Sequence, residues 1–249
     1  MRRFIVPTLL SCGLAAAVVM PAASTAAAAD DRASGSQSVV VVVEVPRPWY
    51  APDFLIVRKM RDAVPNYRSI PGLRYKAFTL AKPSGDFGGI YLWRDRASAD
   101  AWFNVAWYKR VRDERGVEAK VRMFQAAAVF ERKEQAARAE REGDAVATLV
   151  SIPNTIDRAA WAAQSPQERA APGLLRLYEI LMPEGGVGRV YLWRDNAAAE
   201  RWLDTAWRAR MRTLTQRDAR IEWFDAPILM PAASPAAKNA ATAPAGTAR

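Results

Sequence analysis

The run "SVVVVVEVP" at 38–46 is apolar and β-branched at nearly every position. It predicts a strand buried on both faces. Over 52–67 the apolar residues recur as Phe54, Leu55, Val57, Met60 and Val64, a helical spacing that lays one face on a core. Pro71-Gly72 ends that stretch, and 73–81 alternates as a strand. "KPSGDFGG" (82–89) carries turn chemistry and predicts a hairpin into a strand at Gly89–Arg94. Asp95 stands where a side-chain carboxylate caps a helix. That helix is expected to run to about Asp113, with Ala101, Trp102, Val105, Ala106 and the stem of Lys109 facing inward. "EAKVRMFQAAAVF" (118–130) reads as the last strand, so the order is βαββαβ.

The same order returns. Strands are expected at 145–153, 174–182, 188–194 and 219–229, with one helix inside 156–170 and another from Asp195 to about Thr215. "YLWRD" occurs at 91–95 and at 191–195, and Trp93, Trp102 and Trp107 recur as Trp193, Trp202 and Trp207. Phe124 and Ala126 recur as Phe224 and Ala226. Further back, Pro83 meets Pro183, Phe78 meets Tyr178 and Lys76 meets Arg176; "PGL" at 71–73 then meets 172–174, a shift of one residue between the copies. The pattern reads as a small domain built twice, over 38–130 and 145–230. Each βαββαβ unit predicts a four-stranded antiparallel sheet with helices on one face. The other face is apolar and must be covered, and the sister sheet is the natural cover. Between the copies, "ERKEQAARAEREGD" (131–144) reads as an exposed helical or flexible linker. Residues 30–37 and the Ala/Pro-rich tail 231–249 are too poor in core-forming side chains to fold.

The chain opens with Met1-Arg2-Arg3, an apolar stretch from Phe4 to about Met20, and small residues ending at Ala29. This is the pattern of a secretory signal peptide over 1–29. Cys12 leaves lipidation open as an alternative, although it sits very early. Export would remove Arg2 and Arg3 and take the formal net charge from +10 to +8. The remaining chain has no Cys and no His. Disulfides, Cys/His zinc sites and His-based triads are thereby excluded. No later stretch is long and apolar enough to span a bilayer. A soluble exported protein is expected, periplasmic or extracellular. Acids interleave with the basic residues, as in "RVRDER", which points to a solvated surface rather than to nucleic acid.

"PGLRYKAF", "GGIYLWRDRASADAWF" and "AKVRMFQ" together resemble the YdhR-like monooxygenase family of the dimeric α/β-barrel superfamily. The likeness covers about residues 70–125 well and 38–69 in outline; the second copy keeps "PGL" and "VYLWRD" but lacks the Gly-Gly pair. The resemblance implies an α+β fold of ferredoxin-like domains that pair sheet to sheet as homodimers. A chain with two copies would then hold both halves of the barrel and be monomeric. It also implies oxygenation of a small aromatic molecule without metal or flavin. The haem-degrading branch generally uses a His ligand, which is absent here.

In this architecture a pocket opens between the sheet and its own helices. Candidate pocket residues are Lys76, Tyr91, Trp93, Trp102 and Trp107, with Arg176, Tyr191, Trp193, Trp202 and Trp207 as their counterparts. Tryptophan walls suit a flat apolar ligand, and Trp at helical spacing equally suits a plain core. A cation at matched places, Lys76 and Arg176, suits an anionic oxygen; on an edge strand a Lys equally guards against stray pairing. Arg94 and Arg194 are expected to pair with Asp95 and Asp195 at the surface. "SGDFGG" and "EGGVG" are read as hairpin turns, because a strand and not a helix follows them. The expected ligand is small and hydrophobic or aromatic. A non-catalytic binding module and a purely structural contact module remain the alternatives.

Overall fold

Val39–Val45 forms β1, whose valines are buried throughout. It is central because β3 (Phe87–Trp93) pairs with one edge and β4 (Lys120–Glu131) with the other, both antiparallel. β2 (Leu73–Lys82) pairs with the outer edge of β3. The structure, a computed structural model, describes residues 38–153 and 158–230. The leader with Cys12, the 30–37 segment and the tail lie outside the described residues.

Three helices cover the outer face of this first sheet: α1 (Asp53–Arg68), α2 (Arg96–Trp102) and α3 (Val105–Arg115). α1 buries Ile56 and Met60 against Phe78 and Leu80. The helical face read from the sequence is rotated: Phe54 and Leu55 are exposed. The single helix expected over 96–113 is two. Asn104 Oδ1 accepts the Trp107 N–H at 3.0 Å and starts a second N-cap. The break puts Val105 in solvent and turns Trp107 inward, so the inward face expected to include Val105 and Ala106 does not form.

The second half repeats the order. β5 (Val146–Ile152), β6 (Leu174–Leu181), β7 (Val187–Trp193) and β8 (Arg220–Leu229) form the sheet. α4 (Lys133–Glu142) joins the halves. α5 (Arg158–Ala163) and α6 (Ser165–Arg169) replace the long α1, and α7 (Asn196–Trp202) and α8 (Thr205–Thr215) match α2 and α3. α4 is not a free linker, because Ala136 and Ala139 are buried and Ala139 packs into the core between the sheets.

The sheets also join at their edges. β4 runs along β1 as far as Gln125, bulges between Ala126 and Ala128, and continues along β6 to Glu131. β8 does the same, passing from β5 to β2. The result is a closed eight-stranded antiparallel barrel in the order β1-β3-β2-β8-β5-β7-β6-β4. Its lumen is filled by small and branched side chains, among them Val40, Val42, Ala77, Ala126, Ala147 and Leu149. A bidentate pair crosses between the halves: Arg122 on β4 donates to both carboxylate oxygens of Glu222 on β8 at 2.8 and 2.9 Å. β2 is therefore not an edge strand, and Lys76 guards no open edge.

A chain of residues 38–131 alone would leave β2 and the far part of β4 unpaired and the lumen face wet. It is expected to dimerise, restoring eight strands from two copies. Light scattering of that fragment checks this; a folded monomer contradicts it.

Candidate functional site

Alternation along β3 sends Ile90 and Leu92 into the lumen, and Tyr91 and Trp93 outward to the helices. Two caps then place the remaining aromatics. Asp95 Oδ1 accepts the Ser98 N–H at 2.7 Å, while Arg94 Nε donates to Asp95 Oδ2 at 2.7 Å. The Arg94 bond and the Ser98 N–H hold the Asp95 carboxyl down at about 2. α2 ends at Trp102, Phe103 turns inward, and the Asn104 cap brings Trp107 back to the sheet. The outcome is a continuous aromatic layer. Tyr91 and Trp93 stack with centroids 6.3 Å apart, Phe103 meets Trp107 edge-on at 5.0 Å, and Trp93 lies 6.5 Å from Trp102.

Lys76 reaches into this layer from β2. Its side chain is 2 % exposed, and its Nζ lies 3.3, 3.7 and 4.6 Å from the ring centroids of Tyr67, Phe78 and Tyr91. No acid pairs with it among the described residues. Burial alone therefore pushes its pKa well below the ordinary 10.5. Gly89 makes the room. A Cβ there would fall 2.9 Å from Lys76 Cε and 2.8 Å from the Ala77 carbonyl. Tyr67, in the last turn of α1, hydrogen-bonds with Tyr91, whose hydroxyl is pushed well up by burial and by Tyr67. Tyr67 and Trp102 are half-buried and form the outer wall. Two buried indole donors, Trp93 Nε1 and Trp102 Nε1, have no hydrogen-bond partner among the described residues.

The second half closes the same layer with charge. Glu168, fully buried, takes the place of Tyr67; each stands five residues before the glycine, Gly72 or Gly173, whose carbonyl accepts the Arg94 or Arg194 N–H at 2.8 Å. Its carboxylate accepts from the Tyr191 hydroxyl at 3.0 Å, Trp202 Nε1 at 2.8 Å and Trp207 Nε1 at 3.1 Å. Arg189 and Arg210 lie 3.7 and 3.9 Å from it. Arg189, fully buried, also donates to the Trp161 carbonyl at 2.7 Å and covers the Trp161 ring. Trp193 Nε1 donates to Thr148 Oγ1 at 3.1 Å. Val41 stands where Thr148 does, which is why Trp93 lacks that bond.

The pairing of Lys76 with Arg176 is corrected by the strand registers. Lys76 lies opposite Tyr91, but the residue opposite Tyr191 is Leu177. Arg176 lies opposite Leu192, as Tyr75 lies opposite Leu92, so it points into the lumen. There it covers the Tyr75 ring at 3.5 Å and pairs with Glu131. The shift of one residue set at the PGL motifs persists through β6 and ends in the β6–β7 turn, which, counted between paired residues, is one residue shorter than the β2–β3 turn. The second cation at this layer is Arg189, at the position of Gly89. Sequence reasoning missed Tyr67, Glu168 and Arg189; the loss of the Gly-Gly pair in the second copy was the one visible sign. These side chains pack together in the layer between sheet and helices. One open depression of about 470 Å³ lies instead beside Gly143, Asp144, Asp195, Asn196 and Pro227, and none of the candidate residues lines it.

Comparison with solved structures places the fold. The fold is similar to a "putative monooxygenase" from Lactobacillus acidophilus (12 % identity, TM-score 0.54, 78 % of this chain and 96 % of that one). It is similar to an "anthrone oxidase-like protein" (12 %, 0.53, 82 % and 96 %) and to a "putative monooxygenase" from Fusobacterium nucleatum (9 %, 0.56, 79 % and 95 %). Each likeness covers more than either half, so it extends across both. No curated protein matches the sequence. Residues 50–137, the segment that carries Lys76 and its aromatic layer, match the family described as "Putative mono-oxygenase ydhR".

Two outcomes follow. Glu168→Ala removes the acceptor of three donors and leaves Arg189 buried without its acid, so a loss of about 3–5 kcal/mol is expected in denaturant unfolding. Lys76 acts with the opposite sense. An unfolded chain protonates this amine near its ordinary 10.5, whereas the folded chain does so only at a much lower pH. Stability therefore rises with pH between the lowered value and about 10.5. Lys76→Met should flatten that slope and raise the melting temperature at neutral pH; an unchanged slope contradicts the buried-amine assignment.

Proposed function

We propose that the chain is a tandem duplication of a YdhR-like domain that works outside the cytoplasm as a cofactor-free oxygenase of a small aromatic molecule. The observation that carries this reading is Lys76, a fully buried amine among Tyr67, Phe78 and Tyr91 with no acid beside it. Such burial is unfavourable unless the group is used, which marks it as a functional candidate. The match of residues 50–137 to a family described as a mono-oxygenase supports the oxygenase class.

An amine held unprotonated can take a proton from an activated C–H or O–H of the ligand. The ammonium so formed faces the new anion inside a dry aromatic layer, where the attraction is strong. The anion then reduces O₂. For a CH₂ group oxidised to C=O, one oxygen atom becomes the carbonyl and the other leaves as water, which accounts for all four electrons. The ligand enters by swinging out Tyr67 and Trp102, the half-buried wall. Export rests on the leader pattern at 1–29. No described helix is long and apolar enough to cross a membrane.

The close packing around Lys76 also favours a second reading, capture of an aromatic ligand without turnover. Oxygen uptake with hydroquinones and anthrone-like carbon acids separates the two. Turnover is expected to rise with pH as Lys76 loses its proton, and to fall by about 10²-fold or more in Lys76→Met. Ligand binding without oxygen uptake selects the second reading.

A further inference from the structure

Superposing the two registers exposes a complementary pair of sites. In the second half a carboxylate is held by one tyrosine hydroxyl and two indole N–H groups, with arginines beside it. The first half has the same tyrosine and the same two tryptophans, as Tyr91, Trp102 and Trp107, and it has Arg110 where the second half has Arg210. It also has an amine, Lys76, entering from the neighbouring strand through the space left by Gly89. What it lacks is the acid, because position 67 is Tyr. One consequence is visible: Trp102 Nε1 is buried and has no partner among the described residues, while Trp202 Nε1 donates to Glu168 at 2.8 Å.

We propose that the first half takes its ligand by an anionic oxygen, which occupies beside Lys76 and Trp102 the place that Glu168 occupies in the second half, so that the second half is a site closed by its own side chain. The ligand class is a planar aromatic bearing a carboxylate or a phenolate-type oxygen. The ring lies in the aromatic layer and the oxygen accepts from Trp102 Nε1 and Lys76. Buried donors without acceptors are unfavourable, and a ligand that supplies the acceptor removes that cost as it binds. The proposal deepens the oxygenase reading by naming the substrate class of the same pocket. The chain then has one working site from two like halves.

The test uses the full mature chain with 2-naphthoate, 2-naphthol and the neutral, non-acidic 2-methylnaphthalene as calorimetric and Trp-fluorescence titrants. One or both oxygen ligands should bind at least about tenfold tighter than 2-methylnaphthalene, a gap of about 1.4 kcal/mol. Naphthoate and naphthol together separate the carboxylate from the phenolate source. Tyr67→Glu puts the acid of the second half into the first and should abolish that preference, whereas Tyr67→Gln should keep it. As a measurement independent of Tyr67, Glu168→Ala should regain melting temperature in formate but not in equal chloride. Equal binding of all three titrants, or full binding by Tyr67→Glu, overturns the proposal. The two readings fail separately. Anion-selective binding without oxygen uptake removes the oxygenase and leaves this site standing. Oxygen uptake from carbon acids with no effect of Tyr67→Glu does the reverse.

Discussion

The length of two strands governs this molecule. β4 and β8 each outrun their own sheets, and the excess of each pairs with the other half. A ferredoxin-like sheet on its own has two open edges and one apolar face without cover. Sharing β4 and β8 deals with both at once: the edges vanish into a barrel, and the bare faces become a common lumen. Closure also limits what can sit inside. Alanines and valines fill much of the lumen, and the bulkiest residues of β3 and β7, Tyr91, Trp93, Tyr191 and Trp193, go outward to the helices. The chemistry-bearing layer is therefore outside the barrel, once per half.

The two layers share a frame and differ in how they balance charge. In the second, Glu168 gathers two arginines, two indoles and a phenol into one buried network. A network with its acid in place can rigidify a core. In the first, three changes go together. Tyr67 removes the acid, Gly89 removes the arginine, and Lys76 brings a cation from β2 where the second half has Leu177. Lys76 could not lie there with any larger residue at 89. The substitutions make sense as a set, since a side chain at 89 without the loss of Lys76 would be overpacked.

Strand order, hairpins and the caps at Asp95 and Asp195 were legible from periodicity and from the repeated "YLWRD", whereas alternation put Tyr91 and Trp93 on one face without saying which face meets the helices. Periodicity fails where one residue resets it. Asn104 caps a second helix in the middle of an apolar-looking run, and every inward position after it moves. The Lys76–Arg176 pairing failed for a related reason. Pro83 and Pro183 look like an anchor, but the length difference lies in the turn that contains them, so β2 and β6 are out of step by one residue. In a strand one residue is a change of face. Arg176 consequently sits in the lumen with Tyr75 and Glu131, the place that the offset of the two PGL motifs, carried forward into the strand, assigns to it. Tyr67 escaped notice because it lies in the last turn of a helix whose apolar face was read too far round, and Glu168 because the helices over 158–169 were read only as one segment with no inward face assigned.

The asymmetry has a thermodynamic direction. A buried amine pushed toward its neutral form for want of an acid is unfavourable, and so is a buried indole N–H without an acceptor. The first half carries both, and the second carries neither at the matching positions. The halves share a continuous sheet and are tied through β4, β8 and the Arg122–Glu222 bridge. In a homodimer of such domains, two copies of the same unsatisfied layer would have to be carried at once. Placing both halves in one chain lets one be optimised for holding the barrel together while the other keeps an unpaired amine. That division of labour is what a fused barrel permits and a symmetric one does not.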